Sequence, residues 1–146
     1  MRGVSRAGAY IPVVIADQET RRAIEDLIEK TYAAMSEPGS DFTDLFGASD
    51  IAIAGSGQGE LWSSPDQVVP IAGAVASMGL GWTADSTTVW RQGDVAWAQI
   101  LGTVHVVRDG TDDLVPYWTT GVFGRDAGRW RWLYWGGSEP QESPKV

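Results

Sequence analysis

Few side chains in this sequence could carry chemistry, and most of them lie in its second half. His105 is the only histidine. Imidazole is the side chain whose unperturbed titration falls near neutral pH, so His105 is the candidate acid or base. Tyr32 is a candidate hydrogen-bond donor and Gln99 a candidate orienting group, with Trp97, Trp118 and Tyr134 as apolar walls. Asp85 is the acid nearest His105 on the adjoining strand by sequence. Pairing those two strands around Gln92-Gly93 sets Ser86 opposite Gln99 and Trp82 opposite Thr103. That register gathers Trp82, Trp90, Trp97, Gln99, Thr103 and His105 on one face and turns Asp85 to the other. A His–Asp dyad would therefore need a bulge. The mixed face suits a ligand pocket, with apolar walls and a few polar groups that orient the ligand. The tryptophans could also stack on a flat aromatic or cationic ligand.

Other chemistries are excluded. There is no cysteine among the 146 residues, hence no disulfide, thiolate metal site or cysteine nucleophile. A single histidine excludes a histidine-rich metal site. Gly55, Gly57 and Gly59 alternate, but no Lys-Ser/Thr follows and no helix opens there, which argues against a phosphate loop. The net charge of −8, from 11 basic and 19 acidic residues, opposes nucleic-acid and acidic-lipid partners. No window is apolar enough to span a membrane. The apolar run over 7–16 follows Arg2 and Arg6 but is interrupted by Pro12. It reads as an N-terminal arm (1–16), and a cytoplasmic location is expected. Nothing in the sequence calls for a cofactor.

The elements that must position these groups are legible from period and punctuation. Ala23, Ile24, Leu27, Ile28, Thr31 and Met35 follow one face of a helix over 17–36, with Asp17 as N-cap and Pro38-Gly39 as stop. A short strand is expected over 49–55. Ser64-Pro65-Asp66-Gln67 opens a second helix whose buried stripe is Val68, Val69, Ile71, Ala72, Val75 and Met78. From Trp82 the period becomes two, giving strands over 82–91, 94–108, 114–125 and 128–138 with short turns between them. The tail over 141–146 is polar. Two helices against one side of an antiparallel meander make an α+β domain over 17–140.

Four stretches in this order carry a resemblance: Tyr32-Ala33-Ala34-Met35, Asp50-Ile51-Ala52-Ile53-Ala54-Gly55, Gly93-Asp94-Val95-Ala96-Trp97, and Asp126-Ala127-Gly128-Arg129-Trp130-Arg131-Trp132. Together they resemble the nuclear transport factor 2-like superfamily, in its SnoaL-like and ketosteroid-isomerase-like branch. The resemblance implies a cone, a strongly curved antiparallel sheet wrapped around the first helix with a pocket at its wide end. It also implies either cofactor-independent isomerase, cyclase or dehydratase chemistry on a hydrophobic substrate, or a non-catalytic assembly or accessory role. Ketosteroid isomerases combine a carboxylate base with a tyrosine and a protonated aspartate. Tyr32 falls near the family's tyrosine, the base position falls on Gly55, and Val115–Gly124 contains no acid. The isomerase set is thus incomplete. On the last strand, strict alternation groups Trp130, Trp132 and Tyr134 toward the helices and turns Leu133 and Trp135 outward. An outward Leu133 and Trp135 would make the outer sheet face a homodimer seam.

Overall fold

The computed structural model describes residues 14–142. The chain enters the sheet at β1 (Val14–Ile15), passes through α1 (Gln18–Met35), β2 (Ala52–Ala54), β3 (Leu61–Ser63) and α2 (Pro65–Ala76), and ends in β4 (Gly81–Gln92), β5 (Val95–Arg108), β6 (Thr111–Asp126) and β7 (Arg129–Ser138). Asp17 caps α1 as expected, accepting from the Thr20 backbone N–H at 2.7 Å. That bond holds the Asp17 carboxyl below its ordinary range. At α2 the Gln67 side chain accepts from the Ser63 backbone N–H at 2.9 Å, while Ser64 makes no side-chain cap bond.

One seven-stranded sheet runs β1-β4-β5-β6-β7-β2-β3. Its pairs are antiparallel except β2 on β7, which is parallel. β1 and β3 lie outside the expected elements. The last residues of the expected arm pair with β4, Val14 opposite Arg91 and Ile15 opposite Trp90. The arm up to residue 13 and the tail from 143 lie outside the described residues. The sheet is open and curls around α1, which buries Ile24, Ile28, Thr31, Tyr32 and Met35 against it. Buried Trp132, Phe123, Phe42, Phe46 and Ile100 complete this core. On α2 the buried residues are Val68, Ala72 and Ala76. Met78, expected on that stripe, lies past the end of the helix and is exposed.

Two β-bulges decide which side chains face α1. In β4 the register shifts between Ala84 and Ser86, leaving Asp85 as an extra residue. In β7, Phe123 of β6 faces Trp132 while the adjacent Val122 faces Tyr134, so Leu133 is extra. An extra residue bends its strand and reverses the alternation beyond it. Strict alternation therefore holds on one side of each bulge only. Trp82 faces inward although Trp90, on the same strand, pairs with the outward Trp97. Trp135 joins Trp132 in the core at 4% exposure, and Tyr134 turns outward beside Val122. The expected outward position of Trp135 is thus corrected by the Leu133 bulge. Leu133 does face outward, lying over Gly124, where a Cβ would come within 2.9 Å of its Cδ1.

Candidate functional site

A cavity of about 120 Å3 lies between the end of α1, α2 and the concave face of the sheet. Met35, Phe46, Ile53, Ile71, Ala72 and Val75 give it aliphatic and aromatic walls, and Trp62, Trp82, Tyr117 and Trp135 close it. The sheet aromatics brace one another. Trp82 meets Tyr117 edge-on at 5.0 Å between ring centroids and Trp135 at 6.2 Å. Tyr117 stacks on Trp135 at 5.7 Å. Ring pairs at such distances hold their walls in fixed orientation.

The polar groups around this cavity are few. Burial raises the Tyr117 hydroxyl's pKa, opposed by a hydrogen bond with Ser56. The hydroxyl packs under Gly137, where any Cβ would collide with it. Glu60 is exposed and lines the cavity, so the cavity reaches the surface beside the loop joining β2 to β3. Its Oε1 accepts from the Gly57 backbone N–H at 2.8 Å. The same oxygen lies against Gly55, leaving no room there for a Cβ. A carboxylate therefore lies beside position 55, supplied by Glu60. Sequence spacing alone does not bring position 60 here; the tight hairpin, closed by the Gly55 N–H donating to the Glu60 carbonyl at 2.7 Å, folds it back. The glycine at 55 with an acid five residues on was the available signal. The indole N–H groups of Trp82 and Trp135 are buried without a hydrogen-bond partner among the described residues.

Tyr32 is buried just beneath this site. Its hydroxyl donates to Thr119 Oγ1 at 2.8 Å, and its ring supports Trp82 edge-on at 6.1 Å. Burial pushes its pKa up to about 12, offset in part by the Thr119 bond. The phenol therefore stays neutral through the physiological range. Tyr32 positions a wall of the cavity and is not itself one of its lining residues.

The other expected site residues lie across the sheet from the cavity. Ala96, Ala98 and Ile100 are the inward side chains of β5, so Trp97, Gln99 and His105 face outward. His105 is half exposed, with Nε2 3.5 Å from Asp112 Oδ1. Gln99 accepts from the Thr120 hydroxyl at 3.0 Å and donates to the Thr119 carbonyl at 3.3 Å. Trp118 pairs with the outward Leu101 and is 41% exposed, and Tyr134 shares its face. The expected pocket of His105, Gln99, Trp97, Trp118 and Tyr134 with Tyr32 is corrected on this point, because the sheet separates Tyr32 from the rest. Asp85 does reach the outer face through its bulge, but there it accepts from Thr103 Oγ1 at 2.6 Å.

Among the described residues no cluster of His, Asp and Glu could hold a metal ion, and no helix is long and apolar enough to cross a membrane. No curated protein matches the sequence. Several solved structures share its fold. A nuclear transport factor 2-like superfamily protein from Salmonella enterica superposes with a TM-score of 0.73 at 13% identity, covering 88% of this chain and 96% of the other. A candidate dehydratase of the same family from Streptomyces avermitilis gives 0.72 at 14%, covering 86% and 100%. A candidate calcium/calmodulin-dependent protein kinase II association domain from Xanthomonas campestris gives 0.71 at 21%, covering 87% and 91%. At these identities the likeness concerns the fold. The sequence profile of the SnoaL-like domain matches residues 24–142, and the chain belongs to that family.

Proposed function

We propose that this protein binds a small, mostly apolar molecule in the cavity between α2 and the sheet. One observation carries the reading. A tightly packed core leaves few voids larger than a water, yet here three tryptophans and Tyr117 line an open space of about 120 Å3 that reaches the surface beside Glu60. An apolar cavity of about 150 Å3 takes up a benzene-sized ring, so a six-membered ring suits this one. If the bound molecule is also transformed, Glu60 is the carboxylate placed to accept a proton, since His105 is on the far side of the sheet. Isomerisation, cyclisation and dehydration all turn on such a transfer.

Calorimetric titration with toluene tests the reading. The expected result is one saturable site with a Kd on the order of 1 mM and a negative heat-capacity change. Ala72→Phe, which fills the cavity from α2, should abolish the heat while the variant still unfolds cooperatively. Toluene heat that is absent in the wild type, or unchanged in Ala72→Phe, would count against the cavity.

A second reading, association of two copies through the outer sheet face, is favoured by exposed Val95, Leu101, Leu114 and Trp118 on that face. Trp97, Leu133 and Tyr134 share it, whereas Trp135 does not. Exposed large apolar side chains gathered on one face often mark an interface. Sedimentation of Trp118→Glu at micromolar concentration should then give a monomer against a wild-type dimer. A wild type that is already monomeric removes this reading.

A further inference from the structure

The mouth of the cavity carries negative charge with no cation beside it. Glu60 lines the cavity together with Tyr117. Glu139, just past the end of β7, accepts from the Ser56 hydroxyl at 3.1 Å, and Ser56 also hydrogen-bonds Tyr117. Burial is the main cause of the raised Tyr117 pKa, and the charges of Glu60 and Glu139 add to it. Both carboxylates therefore stand close enough to act on a phenol of the cavity wall. Among the described residues neither is in an ion pair, whereas Asp44, Asp94 and Asp112 each are. No Lys, Arg or His lines the cavity. Arg91 and Arg125 lie instead over Trp130, and Arg91 is near the end of β4 while Trp82 is near its start.

Two acidic residues on a surface are ordinary. These two stand at the opening of an apolar space walled by three tryptophans and a tyrosine. We infer that the cavity's ligand is a protonated amine on an apolar ring, with the ring inside the cavity and the ammonium group at its mouth beside Glu60 and within reach of the Glu139 charge. This rests on the cavity being the binding site. About 120 Å3 holds the ring, and Glu60 and Glu139 are both exposed. An ammonium group at the mouth keeps part of its water, which avoids the cost of burying an ion. It brings three donors to carboxylates that only accept. Aromatic walls add attraction for a cation. A carboxylate ligand would instead meet like charge with nothing to offset it.

Calorimetry at pH 7, where an alkylamine is protonated, compares benzylamine, benzyl alcohol and benzoate, with toluene as the apolar reference. An exposed ion pair contributes up to about fivefold in affinity. Benzylamine should therefore bind about three- to twentyfold more tightly than benzyl alcohol, and benzoate more weakly than either. Raising the salt from about 0.02 M to about 0.5 M should reduce the benzylamine advantage at least about twofold. Glu60→Gln combined with Glu139→Gln keeps an acceptor for the Gly57 N–H and the Ser56 hydroxyl. In that double variant the ratio of benzylamine to benzyl alcohol affinity should fall to within about twofold of one. Ala72→Phe should abolish benzylamine binding, because the ring must enter for the ammonium group to be held. Equal affinities for amine and alcohol, an unchanged ratio in the double variant, or benzylamine binding that survives Ala72→Phe would each overturn the inference, while toluene binding would still support the cavity reading. Failure of toluene, benzyl alcohol and benzylamine alike to bind would remove the cavity reading, and this inference with it.

Discussion

Trp132→Ala should lower the free energy of unfolding by about 3–5 kcal/mol, the range for truncating a large buried aromatic. Trp132 is fully buried and joins three parts of the fold. Its ring lies 4.5 Å from Phe123 of β6 and 5.9 Å from Phe46, between centroids. Its indole N–H donates to Thr31 on α1, whose hydroxyl donates in turn to the Leu27 carbonyl at 2.7 Å. The indole even uses the space that a side chain at 121 would need, since a Cβ on Gly121 would come within 2.8 Å of Trp132 Cζ3. Alanine removes the ring contacts and the hydrogen bond together, and the surrounding strands cannot collapse without breaking pairing. Urea unfolding followed by far-ultraviolet circular dichroism reads the change. A loss below about 1 kcal/mol would show that Trp132 does not hold α1 to the sheet.

Deleting Leu133 should remove the bulge without turning either tryptophan outward. Leu133 is the extra residue between two pairs, Phe123 with Trp132 and Val122 with Tyr134. Once it is gone those pairs become consecutive rungs, and Trp132, Tyr134 and Trp135 alternate in, out, in. The local bend of β7 and the contact of Leu133 over Gly124 are what the deletion removes. The expected loss is about 1–2 kcal/mol, with toluene binding retained and the parallel pairing of Ile53 with Trp135 kept. Leu133→Ala keeps the bulge and should cost less than the deletion. A loss above about 4 kcal/mol, or loss of toluene binding in the deletion variant, would mean that the bend itself is needed to hold Trp135 in the cavity wall.

The sequence carried the fold more faithfully than the site. The 3.6-residue rhythm from Ala23 to Met35, the Asp17 cap and the Gly-containing turns after β4, β5 and β6 mark elements that the structure places within a few residues. Those signals are local, and each is enforced by backbone hydrogen bonding that neighbours in the chain can satisfy. The strands β1 and β3 escaped notice because two or three residues are too short to establish a period of two. The site failed for a different reason. Assigning Trp82, Trp97, Trp135 and Tyr134 to faces requires counting by twos along long strands, and each bulge breaks the count. Nothing in Asp85 or Leu133 as residue types announces a bulge, because the curvature that calls for one belongs to the whole sheet. Of the expected site residues, Tyr32 was the one carried by helix periodicity, and it is the one that reaches the interior. Glu60 depends on a hairpin folding back on Gly55, which only the assembled structure displays.

The inward aromatic cavity, and not the outward face bearing His105 and Gln99, is the proposed seat of the small molecule. Backbone and indole 1H–15N chemical shifts mapped during a toluene titration test it most directly. Saturable shifts are expected at Ile53, Trp62, Ile71, Ala72, Val75, Trp82 and Trp135, with Gln99, His105 and Trp118 unmoved. Shifts confined to Gln99, His105 and Trp118, with the cavity residues unmoved, would contradict it.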